Sequence, residues 1–179
     1  MGNVKISKDK LIADFDLMIK NLKDIHPDPF FSISELDFNE VVKQKRNELC
    51  QKDNLVDFWK IFSETLARLN DGHTSVYLPN LKFKYYFPLI LTKIDEVFFI
   101  KGVFSEKYCD LIGKKIMAIN QIPINEIFNN ISKYVSHEKE IGKASIILKK
   151  LTQYLAIVYN FQEEFTVDIE EKGDTKSIN

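Results

Sequence analysis

Residues Leu69–Pro79 read LNDGHTSVYLP. The stretch divides the chain, because helical spacing precedes it and strand-forming composition follows it. Upstream, Leu55, Phe58, Phe62, Leu66 and Leu69 share one face of a helix, with Asn54 as its N-cap and Asp57 in its first turn, where a carboxylate suits the helix dipole. Asn70, Asp71 and Gly72 end that helix, and Gly72 is the predicted source of the left-handed geometry that helix C-termini favour. A second helix is predicted from about Ser34 to Leu49, with Phe38, Val41 and Val42 inward. A first helix carries Leu11, Phe15, Met18, Leu22 and Ile25 on one face and is stopped by His26-Pro27-Asp28-Pro29, since a residue before proline is driven out of the helical region.

Past Pro79 the composition changes. KYYFPLILT and EVFFIKGVF are rich in aromatic and branched residues, with polar turn formers between them, and predict a β-hairpin or meander. KKIMAIN predicts a further strand, and INEIFNNISKYV a helix. EIGKASIILKKLTQYLAIVYN predicts one longer helix with Ile141, Ala144, Leu148, Leu151, Leu155 and Val158 on one side. EEFTVDIEE alternates like a strand, KGD makes a turn, and TKSIN has the look of half a hairpin, so that more chain is expected beyond it. The predicted class is α+β: a three-helix N-terminal domain over residues 1–80, a small antiparallel β domain with two helices over residues 81–172, and the start of a further domain at residues 173–179.

Composition narrows the function classes. The 179 residues are 45% hydrophobic and 28% charged, the balance of a globular chain. With 25 basic and 26 acidic residues the net charge is -1, and no long-range field favours nucleic acid or an anionic membrane. MGNVKISKDK has neither the apolar core of a signal peptide nor Ser or Thr at position 6 for myristoylation, and no apolar run reaches spanning length. A cytoplasmic protein is expected, or an exported one if a leader has been removed. Cys50 and Cys109 are expected as reduced, mostly buried thiols.

No nucleophile elbow, phosphate loop or zinc-protease motif occurs, and in HEKEI the second metal ligand is replaced by Ile141. His26, His73 and His137 lie in three separate segments, so neither a metal nor any other cofactor is expected. The acidic doublets Asp95-Glu96, Glu163-Glu164 and Glu170-Glu171 fall at turns and strand ends and are expected to be solvated charge. His73 remains as the candidate for proton transfer. It follows a sharp bend at the negative end of a helix dipole, with Asp71 or Thr74 available to orient the ring. The competing assignment is a turn residue that only satisfies free carbonyls at the helix end. Ser75 is not a credible nucleophile, since its adjacent placement gives no in-line path and no oxyanion donors are evident.

LNDGHTSVYLP closely resembles a motif of the tail-specific, or C-terminal-processing, serine peptidases, and is most similar to the branch resembling the tricorn core protease. HPDPFFSISELDF resembles the segment joining the first two helices of that family, and LIGKKIMAINQIPINEI resembles its PDZ-like part. There Gly113, Ile116, Ile119 and Asn120 match the usual pattern, while Gln121 stands where a glycine is customary. The resemblance implies that His73 is the general base for a serine carried by a separate, later domain together with its oxyanion hole and a supporting acid; within the turn itself Asp71, Gly72 and Thr74 are the candidate supporting residues. It further implies a peptide or protein substrate and a chain that is inactive without its nucleophile domain; a bacterial source is expected from composition, since the abundance of Lys, Ile, Asn and Phe suits an AT-rich genome. The PDZ-like part would capture a peptide by strand addition, although YYFPLIL occupies the region of the usual glycine-rich carboxylate loop and Pro88 removes a donor. The alternatives are a stand-alone PDZ-like peptide-binding module without catalysis, and a remnant with an interaction role whose reading frame ends at Asn179. Oligomeric state and cleavage preference leave no mark in the sequence.

Overall fold

The computed structural model describes residues 5–79, 86–161 and 163–178. The chain is α+β and forms two compact units: residues 1–81 with 133–139, and residues 82–132 with 140–179.

The first unit holds α1 (Lys8–Ile25), α2 (Glu35–Leu49) and α3 (Leu55–Ala67). Side-chain capping starts two of them: the Asp37 amide donates to Ser34 Oγ, and the Asp57 amide donates to Asn54 Oδ1. Leu11 and Phe15 of α1 bury against Leu49 and Ile61, while Phe38, Leu66 and Leu69 form a second cluster beside Phe30 and Val76. α3 is buried on more than the predicted face, since Trp59, Ile61, Ser63 and Thr65 are also enclosed. The Thr65 hydroxyl is satisfied by donating to the Ile61 carbonyl one turn earlier.

Two predicted positions differ here. Ile25 is 77% exposed, because it lies at the last turn of α1, just before His26 leaves the helix in an extended conformation. The left-handed residue after α3 is Asn70 (φ 47°), not Gly72. Asparagine takes this conformation more readily than most residues because its short amide bonds locally, so the helix can end before the glycine.

The second unit opens with the predicted hairpin, β1 (Leu89–Ile94) and β2 (Val97–Val103), antiparallel with a bulge between Ile90 and Leu91. Asp95 and Glu96 form its turn, as expected of that doublet. A 3-10 helix at Glu106–Leu111 leads to β3 (Ile116–Ile119) and β4 (Ile122–Pro123), joined through Asn120 and Gln121. Both turn residues are left-handed, at φ 47° and 65°, so Gln121 adopts the conformation that a glycine would hold without penalty. The Asn120 side chain helps by accepting from the Thr166 amide at 2.7 Å.

α4 (Ile124–Ser132) follows as predicted, but the single long helix expected next is two. α5 (Glu140–Lys149) and α6 (Leu151–Tyr159) are separated at Lys150 (φ -119°, ψ 24°). α5 packs on β1 and α4, and α6 packs on α4 and α5, so the break lets adjoining segments meet different partners. No glycine or proline marks it, which is why periodicity alone runs through it. Among its described residues the unit therefore has three α-helices and a 3-10 helix where two helices were predicted. Ile141, placed on the buried side by the spacing, is 80% exposed.

β5 (Val167–Glu171) and β6 (Asp174–Ile178) complete the second sheet, in the order β4-β3-β5-β6. The half-hairpin expected at TKSIN is a whole one, with Val167 opposite Ile178 and the turn carried by Lys172 and Gly173. Phe98, Ile100, Ile116, Ile119, Ile127 and Ile169 are among the most buried residues of this unit. Both cysteines are free, but neither is buried: Cys50 is half-buried at the end of α2, and Cys109 is exposed on the 3-10 helix. No helix among the described residues is long and apolar enough to cross a membrane.

Candidate active site

The turn after α3 builds a small polar site within the first unit. Asn70 is left-handed just after α3, and the carboxylate of the next residue, Asp71, lies against the two residues that follow Gly72. One carboxylate oxygen of Asp71, Oδ1, accepts from the His73 backbone amide at 3.1 Å and meets His73 Nδ1 at 3.3 Å. The other, Oδ2, accepts from the Thr74 hydroxyl and meets His26 Nε2 at 3.0 Å. Of the two residues able to orient His73, Asp71 touches the ring, whereas Thr74 acts on Asp71.

The segment between α4 and α5 braces the same turn. Ser136 Oγ accepts the Asp71 amide at 2.9 Å, and Glu138 Oε1 accepts the Gly72 amide at 3.1 Å. Gly72 is close-packed rather than left-handed: a Cβ there would stand 3.0 Å from Glu138 Oε2 and 3.3 Å from His137 Cδ2, so either side chain would have to shift by a few tenths of an ångström to admit one.

All three histidines thus gather at one turn, although they are far apart in sequence. Backbone donors separate their roles, because an amide can only donate. The Asp28 amide donates to His26 Nδ1 at 3.2 Å, so the proton of neutral His26 sits on Nε2 and points at Asp71. The Lys139 amide donates to His137 Nδ1 at 3.0 Å. That nitrogen also lies 3.3 Å from Glu138 Oε2. An acceptor nitrogen offers no proton to a carboxylate, so the amide contact is the bond and the second approach is only proximity. His73 is the reverse case. Its Nδ1 faces a carboxylate and so carries the proton, which leaves the lone pair on Nε2. Its side chain is 95% exposed, and Nε2 has no protein partner among the described residues.

Burial opposes ionisation of Asp71, but hydrogen bonds from Thr74, His26 and the His73 amide and ring outweigh it and hold the carboxyl well below the ordinary range. Glu138 is also held below its usual value, chiefly by the Gly72 amide. Both are carboxylates at neutral pH. The sign for Asp71 follows from linkage: a depressed folded-state pKa contributes stability at neutral pH that is lost as the pH falls through it. Asp71→Asn should therefore destabilise the chain at pH 7 by roughly 1–2 kcal/mol. Denaturant melts at decreasing pH should show the gap to wild type narrowing once the pH drops below the ordinary carboxylate range. A gap that stays constant down to pH 2 would show that the charge of Asp71 is not the stabilising feature.

Asp71, His73 and Glu138 also bring one ligand atom each within 4.8 Å of one another, the grouping among the described residues that could hold a metal ion. An apolar recess of about 490 Å3 lies beside the turn, lined by Leu17, Met18, Leu22 and Ile25 together with His26 and Thr74. Sequence reasoning singled out Asp71, Gly72, His73 and Thr74 but missed His26, Ser136 and Glu138. HPDPF was legible as a helix stop and HEKEI as a failed zinc pattern, and neither feature signals a contact with the turn.

No protein-family profile and no curated protein sequence matches the chain. Solved structures do match its fold. Mature CPAF superimposes with a TM-score of 0.66 at 14% identity, over 96% of this chain and 34% of that one. A point mutant of CPAF gives 0.73 at 15% identity, over 96% and 33%. Mature CPAF complexed with lactacystin gives 0.68 at 14% identity. The chain spans about a third of the length of these proteins and shares their fold over that third.

Proposed function

We propose that this chain is the base-supplying portion of a serine-type endopeptidase of the tail-specific kind, with His73 as the general base. The observation that carries the proposal is the placement of the His73 ring, with Nδ1 3.3 Å from the Asp71 carboxylate and a side chain 95% exposed. CPAF, a chlamydial serine protease, supports it at the level of fold. In this reading a serine on a further domain gives its Oγ proton to His73 Nε2 as Oγ attacks the peptide carbonyl. Asp71 stabilises the imidazolium that forms, and the proton then passes to the leaving amine. The oxyanion donors belong to the nucleophile domain, so this chain alone cleaves nothing. The test is complementation with that domain in a peptide-cleavage assay, with and without His73→Ala.

A second function within the same reading concerns the second unit, as a PDZ-like part that positions substrate. The supporting observation is a groove of about 330 Å3 between β1 and α5. β1 is an edge strand of its two-stranded sheet, with Ile90 at the groove and 43% exposed. Ile141, Ala144 and Leu148 of α5 form the facing wall, and Lys93, Lys101 and Lys149 surround it. An extended peptide would add as a strand to β1, with apolar side chains against α5 and its terminal carboxylate among the lysines. Titration of the chain with an apolar peptide should give roughly tenfold tighter binding for a free C-terminus than for its amide. Equal affinity for the two peptides would rule out carboxylate capture.

A further inference from the structure

We infer that His26 is a positioning residue for His73, acting through Asp71, and this rests on the general-base reading of His73 only for its catalytic meaning. The contacts form a directed chain. The Asp28 amide, in the turn that ends α1, donates to His26 Nδ1 at 3.2 Å and assigns the proton to Nε2. Nε2 donates to Asp71 Oδ2 at 3.0 Å, on the same oxygen that takes the Thr74 hydroxyl. With Oδ2 held from two sides, the carboxylate plane cannot turn, and Oδ1 stays toward the His73 ring and amide.

This matters because, among the described residues, the His73 ring has no other support. The side chain is 95% exposed, and Asp71 is the one side chain among the described residues that hydrogen-bonds it. A neutral imidazole left to water prefers the proton on Nε2, the form useless as a base at that nitrogen. Asp71 reverses the preference, and His26 keeps Asp71 in the orientation that does so. Burial fits the division of labour: His26 and Asp71 are 21% and 19% exposed, so the holding pair is sheltered and the working ring is not. A histidine suits position 26 because its two nitrogens lie on opposite sides of one rigid ring. It can therefore accept from its own turn while donating across to a residue 45 positions away.

The test reads the imidazole tautomers directly, by long-range nitrogen–proton correlation spectra of the histidine-labelled chain at a pH where the rings are neutral. The expected wild-type result is Nδ1–H for His73 and Nε2–H for His26. In His26→Phe the ratio of Nδ1–H to Nε2–H at His73 should fall by roughly threefold or more, the effect of losing one orienting hydrogen bond. His26→Gln, which keeps a donor near the Nε2 position, should restore it. A purely structural role would leave the tautomer ratio of an exposed ring unmoved. An unchanged ratio in a folded His26→Phe chain overturns the inference. Should that variant fail to fold, a wild-type spectrum with the His26 proton on Nδ1 overturns it equally. No cleavage is measured, so the outcome is separate from that of the peptidase assay, in which the loss of His73 is the decisive variant.

Discussion

On the proposed general-base reading, His73→Ala in this chain assembled with a nucleophile domain lowers kcat for peptide cleavage by roughly 10,000-fold or more. Each factor of ten is about 1.4 kcal/mol of barrier, so the loss exceeds about 5 kcal/mol. The magnitude follows from what the ring supplies. Without a base, the attacking hydroxyl must shed its proton to water, and no imidazolium forms beside Asp71 to balance the developing oxyanion. KM should change far less, since an exposed side chain on a turn contributes little to ground-state binding of a substrate held elsewhere. The chain itself should remain folded, because a 95% exposed ring contributes almost no buried area. Steady-state kinetics on both proteins, with thermal melts as the control, check all three points. Retention of full activity by His73→Ala would remove the base assignment.

The second large effect is on stability and reaches the same turn from beneath. Phe38 on α2 is fully enclosed (0% exposed) and packs with Leu66, Leu69 and Val76, its ring 5.8 Å from that of Phe30. These neighbours flank the site: Leu69 precedes Asn70 and Asp71, Val76 follows Thr74, and Phe30 lies just past His26 and Asp28. Phe38→Ala removes the buried ring and leaves a cavity that the three helices cannot fully close, at a cost of about 3–5 kcal/mol. Against a typical total of about 5–15 kcal/mol, that is a large share of the stability of the chain. Equilibrium denaturation should show the loss. Amide exchange should speed up most at residues 69–76, where the turn depends on the cluster. A drop below about 1 kcal/mol would mean that the site is held by its polar contacts and not by the packing under it.

The two predictions differ in how much of them could be read in advance. The helix caps at Ser34 and Asn54, the β1–β2 hairpin and the DGHT turn are local events, decided by residues within a few positions of one another. They were legible for that reason. Where local signals were absent or ambiguous, the expectations failed. The break at Lys150 carries no glycine or proline, Asn70 rather than Gly72 turns left-handed, and Ile25 and Ile141 sit on the apolar stripe yet face outward.

What sequence alone determined was the α+β class, most of the elements, and the turn that brings Asp71, His73 and Thr74 together. Those follow from spacing, capping and turn chemistry over short range. Tertiary structure alone decided what the Asp71 carboxylate and the Asp71 and Gly72 amides meet across the turn, and so what holds the turn still. Those depend on His26, Ser136 and Glu138, which are 45 to 66 residues from the groups they contact. A hydrogen bond needs about 3 Å in space and is indifferent to distance along the chain, so no local pattern announces it.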